Sequence, residues 1–105
     1  SLWKDVAKVI ESEHPYKDKT DQSYTISYPG AKYVRVFFEK VDTERNYDKV
    51  LVTSTSGEPI DEATGQMNGY MTDYLKGDAV VIRFKTDDSV QGWGFKISKI
   101  QVITN

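Results

Sequence analysis

Alternating apolar and polar positions mark most of this chain as β-strand. Tyr24, Ile26 and Tyr28 alternate with Thr25 and Ser27, the pattern of a half-buried strand. In the run Tyr33 to Lys40, Val34, Val36 and Phe38 share one face. Val50 and Val52 oppose Leu51 and Thr53, so the strand 49–54 has two largely apolar or β-branched faces and reads as central. Ala79 to Lys85 is the strongest strand, and Gly94 to Ile103 closes the chain with Phe95, Ile97, Ile100, Val102 and Ile103. Val6 to Ile10 is shorter, and its β-branched residues favour a strand over a single helical turn. Between these runs lie breakers. Residues 11–22 form a long polar loop, Pro29-Gly30 and Gly77-Asp78 are turns, and Ser54 to Gln66, with Gly57, Pro59 and Gly65, reads as loop. Asn68-Gly69 is a turn signal ahead of a short strand from Tyr70 to Leu75. Seven or eight short strands of this kind predict an all-β antiparallel sandwich with little helix. Val34, Val36, Phe38, Val81, Phe84 and Phe95 are its expected core. Placing both Val81 and Phe84 inside breaks the period of two and predicts a bulge or a strand buried on both faces.

Composition narrows the function. At 105 residues the chain is large enough for one core and too short for two, so it is expected to be a single domain spanning 1–105. With 38% hydrophobic and 29% charged residues it is a globular module, not a disordered segment. A net charge of −2 offers nothing to nucleic acid or to an acidic membrane surface. No apolar run reaches transmembrane length, and Ser1 to Asp5 is not a signal peptide, so the chain is expected to be excised from a longer protein. It contains no cysteine, which excludes disulfides and thiolate metal sites and leaves the compartment open, secreted or cytoplasmic.

The chemistry concentrates in Val41 to Asp48. Asp42, Glu44 and Asp48 share one parity, and in a continued extended conformation they would crowd onto one face. Clustered carboxylates repel unless a cation sits among them. Calcium, a hard ion taking oxygen ligands, is the natural one. The spacing resembles the start of an EF-hand loop, but Tyr47 occupies the glycine position, Thr53 the closing glutamate position, and strands replace the helices. A site here must be completed from elsewhere, and the second acidic turn, Thr86-Asp87-Asp88-Ser89, is the best donor. The alternative is a pair of solvated acidic turns.

The order Ile10-Glu11-Ser12-x-x-Pro15-Tyr16, Tyr24-Thr25-Ile26, VDTERNYDKVLV, Ala79 to Phe84, Thr86-Asp87-x-Ser89 and Gly94-Phe95 resembles the CUB domain from about Ile10 to Ile103. The resemblance implies a jelly-roll β-sandwich, extracellular in type and used as a binding module within larger proteins. In its calcium-binding members the matching positions are Glu44, Asp48 and Asp87, with a backbone carbonyl at Ser89, and Val90 as a second-tier addition, completing the site. Asp42 and Asp88 are supplementary candidates. The chain departs from animal CUB domains in lacking disulfides, in a shorter loop between the glutamate and Tyr47-Asp48, and in Tyr24 where a tryptophan is often found.

The implied function is a non-catalytic, calcium-binding, protein-interaction module of a secreted protein, whose acidic site docks a partner's lysine or arginine. A carbohydrate-binding module with structural calcium is the alternative, using Trp93 and, more weakly, Tyr47 and other tyrosines as stacking surfaces. A flat row of exposed aromatics would favour sugar, and an isolated buried Trp93 would favour the first reading. A structural spacer is the third possibility. Tyr47 is otherwise expected to pack and fix the acidic loop. His14 is the only histidine and is expected to make a local turn bond. Ser12, Ser54 and Ser56 lack an activating constellation, and Gly57 and Gly65 make no phosphate loop, so an enzyme is not expected.

Overall fold

The computed structural model describes residues 2–105, which form nine strands and, among the described residues, no helix. The strands are β1 (Lys4–Glu11), β2 (Asp21–Ser27), β3 (Tyr33–Asp42), β4 (Lys49–Thr53), β5 (Pro59–Thr64), β6 (Gln66–Met71), β7 (Leu75–Lys76), β8 (Ala79–Lys85) and β9 (Gly94–Ile103). They build two antiparallel sheets. The first runs β1-β9-β3-β6 with β7 also on β3, and the second runs β2-β8-β4-β5.

The period-two pattern decides which side chains enter the sandwich. β3 buries Val34, Val36, Phe38 and Val41; β4 buries Val50 and Val52; β9 buries Phe95, Ile97, Ile100 and Val102. At the centre, Phe84 meets Phe95 and Tyr16 edge-on, with ring centroids 5.2 and 5.0 Å apart. A register shift between the cross-strand pairs Phe37–Lys99 and Phe38–Ile97 leaves Ser98 as an extra residue on β9 and lets the strand keep Ile97 and Ile100 inside although they are three residues apart.

The second sheet departs from expectation at Val81. β8 alternates without interruption, burying Val80, Ile82 and Phe84 and leaving Val81 half-buried on the outer face beside Thr53. No bulge is needed, because Val80 and Ile82 are equally apolar and take the inward parity. β5 was expected as loop. It is an edge strand on β4, where Pro59 is tolerated because one side of an edge strand makes no ladder bonds. The Asn68-Gly69 pair is not a hairpin turn. It lies within edge strand β6, where Gly69 at φ +69° sits between the pairs Tyr70–Phe38 and Asn68–Lys40 and the register with β3 is kept. The expected strand 70–75 is divided between β6 and β7, joined through Thr72, whose hydroxyl accepts from Val36 N–H at 3.0 Å.

Candidate metal centre

Two turns and one loop meet at one end of the sandwich. β3 stops at Asp42, so the parity argument for Asp42, Glu44 and Asp48 does not apply beyond it. The chain instead coils: the N–H groups of Tyr47 and Asp48 both donate to Glu44 O, at 3.2 and 3.0 Å, with Asn46 left-handed at φ +71°. This single turn sets Glu44 and Asp48 side by side. Thr43 Oγ1 and Thr64 Oγ1 donate to Asp48 O at 2.9 and 2.8 Å and hold the end of the turn.

The second turn, after β8, is laced to the β1–β2 loop. Thr86 N–H donates to Thr20 O at 2.9 Å, and Lys19 N–H donates to Asp87 O at 2.7 Å. Asp87 N–H donates to Asp48 Oδ1 at 2.8 Å, joining the two acidic turns directly. Close approach depends on Gly92: a Cβ there would lie 2.4 Å from Asp42 O.

Carboxylate oxygens of Glu44, Asp48 and Asp87 lie within 4.8 Å of one another. Asp48 is fully buried, and its Oδ2 accepts from the Tyr16 hydroxyl at 2.6 Å. Tyr16 in turn accepts from Glu44 N–H at 3.2 Å. Burial and the bond to Asp48 push the Tyr16 phenol up to about 12. Glu44 Oε1 is buried without a hydrogen-bond partner. Its burial, then the charges of Asp87 and Asp48, and more weakly that of Asp18, raise the Glu44 carboxyl above the ordinary carboxylate range. Three clustered carboxylates, one of them with an unpartnered buried oxygen, fit a hard cation, and this donor set can hold a metal ion.

The other expected residues lie differently. Asp42 and the exposed Asp88 are outside the cluster. Ser89 donates its N–H to Asp87 Oδ1 at 3.3 Å, and Val90 is exposed in a left-handed conformation, φ +61°. Tyr47 does not pack: its residue is 67% exposed, and Tyr16 fixes the loop in its place. Trp93 is half-buried and stacked on His14, with centroids 3.7 Å apart and planes 11° off parallel, while Lys40 Nζ lies 4.4 Å from the same ring centroid. His14 makes more than a local bond. It reaches Glu11 Oε1 at 2.6 Å and, far along the chain, Trp93 O at 2.7 Å. Ser12 Oγ accepts from Phe95 N–H and donates to Glu13 O, a structural role. Sequence reasoning assigned no role to Tyr16, Asp18 or Gly92. Tyr16 follows a proline in an otherwise polar loop, and Gly92 is one of two glycines around Trp93; both were visible signals.

A family model for the CUB domain matches residues 4–98. The chain is 34% identical over 93 residues to the human E3 ubiquitin-protein ligase HERC2, covering 86% of this chain and 2% of that protein. It is 30% identical over 94 residues to human zinc finger ZZ-type and EF-hand domain-containing protein 1, covering 87% of this chain and 3% of that protein. The CUB1-EGF-CUB2 structure of human MASP-1/3 superposes over 100% of this chain and 43% of its own, with a TM-score of 0.77 at 16% identity. The chain thus spans a small part of these relatives.

Proposed function

We propose that this chain, which belongs to the CUB domain family, is a non-catalytic interaction module whose acidic end binds calcium. CUB domains generally mediate protein interactions, and they are commonly extracellular. Glu44, Asp48 and Asp87 would hold the ion through carboxylate oxygens, with a main-chain oxygen at Ser89 or Val90 adding to them. The ion supplies the positive charge that three adjacent carboxylates require. It leaves an acidic rim, including Asp88 and Asp18, suited to a partner's lysine or arginine.

The observation that carries this reading is Glu44, whose Oε1 is buried and unpartnered and whose carboxylate lies within 4.8 Å of those of Asp48 and Asp87. Burying such a group in its charged form is unfavourable unless a hydrogen bond or a cation completes it. Asp48 supports the reading from another side. Its two carboxylate oxygens are fixed by Tyr16 O–H and Asp87 N–H, so the site is positioned before any ion arrives. A sugar platform at Trp93 is less well supported, since His14 stacks on that ring.

The module is a part of a longer protein in this reading, as the small share of each relative it spans suggests. A fold without cysteine keeps its covalent framework in oxidising and reducing surroundings alike, so the longer protein sets its compartment. Isothermal calorimetry with calcium tests the proposal. One saturable site in the wild type that Glu44→Gln removes is expected, and absence of heat at millimolar calcium would reject it.

A further inference from the structure

The outer face of the five-stranded sheet is unlike an ordinary solvated sheet face. On an antiparallel sheet with one face in water, outward positions are normally polar. Here the outward parity of β3 carries Tyr33, Arg35 and Phe37, all half-buried although no strand covers them. Trp3 and Tyr74 extend the surface: Tyr74 lies 5.5 Å from Tyr33 and 6.2 Å from Trp3 between ring centroids, and it is 58% exposed.

Cations are woven through these rings. Arg35 lies 4.0 Å from the Trp3 ring centroid and donates Nε–H to Gln101 Oε1 at 2.8 Å. Gln101 Nε2 donates to Asp5 Oδ1 at 2.7 Å, and Lys99 Nζ lies 3.3 Å from Asp5 Oδ2 and 5.1 Å from the Phe37 ring centroid. Lys76 pairs in register with Tyr33 and adds a further positive charge. The patch therefore carries Arg35, Lys76 and Lys99 around one paired carboxylate, Asp5, on a chain whose net charge is −2.

We propose that this face is a second docking surface, separate from the acidic turns, and that it takes an acidic, aromatic-containing segment of a partner protein. Tyrosine, tryptophan, phenylalanine and arginine are the residues enriched at protein interfaces and at their energetic centres. The hydrogen-bonded chain from Arg35 through Gln101 to Asp5 holds the cationic fork in place beforehand, which reduces the ordering cost of binding. The sign of the patch selects carboxylates, which arginine binds through paired N–H groups. A glycan fits less well, because the ring pairs are tilted by 55° and 77° and do not form one flat platform.

The test is a titration of isotope-labelled protein with the random copolymer poly(Glu,Tyr), followed by amide chemical shifts, with calcium and with chelator. Shifts at Arg35, Phe37, Lys99 and Gln101 are expected in both conditions and should shrink at high salt. Tyr74→Ala and the conservative Arg35→Gln should each weaken binding by roughly tenfold. The inference fails if no shifts appear, if they fall on the acidic turns, or if both variants bind like the wild type. It also fails if maltohexaose moves the same amides and the copolymer does not. A concentration-dependent dimer seen by sedimentation without any added ligand would assign the face to a second copy instead. Failure here leaves calcium binding untouched, since calorimetry with calcium reads the other end of the sandwich.

Discussion

The Tyr16 hydroxyl donates to Asp48 Oδ2 at 2.6 Å and accepts from Glu44 N–H at 3.2 Å, so one phenol clamps two members of the acidic cluster. Tyr16→Phe removes the clamp and leaves a buried carboxylate oxygen and an N–H short of a partner. A loss of about 1–3 kcal/mol in the apo protein is expected, read from urea denaturation. Calcium should recover part of the loss.

The same bond governs behaviour in alkali. Burial and Asp48 push Tyr16 up to about 12, and Asp61, which accepts from the Tyr70 hydroxyl at 2.7 Å, pushes Tyr70 to about 12 as well. A tyrosine raised from its ordinary 10.0 lends stability that is fully present below that value and is lost as pH rises through 12. Absorbance titration of the wild type against Tyr16→Phe and Tyr70→Phe should therefore show these two tyrosines ionising late, together with loss of the fold. Ionisation of Tyr16 and Tyr70 near 10 in the folded protein would contradict the two bonds.

Calcium should raise the melting temperature above that in chelator, by a linkage worth about 2.7 kcal/mol when free ion is a hundred times the dissociation constant. Magnesium should do little, because a site drawn from two loops is poorly suited to its small octahedron. Asp48→Ala is a poor variant for this purpose: the fully buried carboxylate it deletes is a hydrogen-bond partner of Tyr16 O–H and Asp87 N–H, so the apo fold weakens too. Glu44→Gln removes a charge and keeps the shape. It should abolish the calcium response and raise apo stability by relieving repulsion with Asp48 and Asp87.

The apo gain from Glu44→Gln should depend on pH. Glu44 is raised by burial and by Asp87 and Asp48, so its folded carboxyl favours the proton. The stability it lends is present below the ordinary glutamate range and lost as pH rises through the folded value. The two proteins should melt together in acid, and the variant should pull ahead as pH approaches neutrality. Parallel melting curves from acid to neutral pH would contradict the repulsion.

Gly92→Ala should push the two turns apart. Its Cβ would meet Asp42 O at 2.4 Å, a backbone atom that cannot swing aside. A destabilisation of about 1–3 kcal/mol and a smaller calcium response are expected. Gly57→Ala is the control: a Cβ there meets nothing within 4 Å, but φ +91° is left-handed, so only backbone strain is added and the calcium response should persist.

The strands were legible wherever one face is buried, because the alternation in β3 and β4 is the burial pattern itself. β5 and the edge of β6 were not, because an edge strand makes ladder bonds on one side only and tolerates Pro59 and Gly69. Val81 was misplaced for a related reason. Three consecutive β-branched residues, Val80 to Ile82, offer two apolar parities, and the register that pairs Ile82 with Val52 and Phe84 with Val50 selects one. The sequence by itself determined that the candidate ligands lie in two acidic stretches, at the end of one strand and after another, and that no disulfide or thiolate would share in holding them. Only the tertiary structure decided which acids meet. β3 ends at Asp42, a one-turn coil swings Glu44 next to Asp48, and Gly92 lets the second turn close on the first. That choice rests on hydrogen bonds between residues as distant as Tyr16 and Asp48 or Asp48 and Asp87, which no local periodicity encodes.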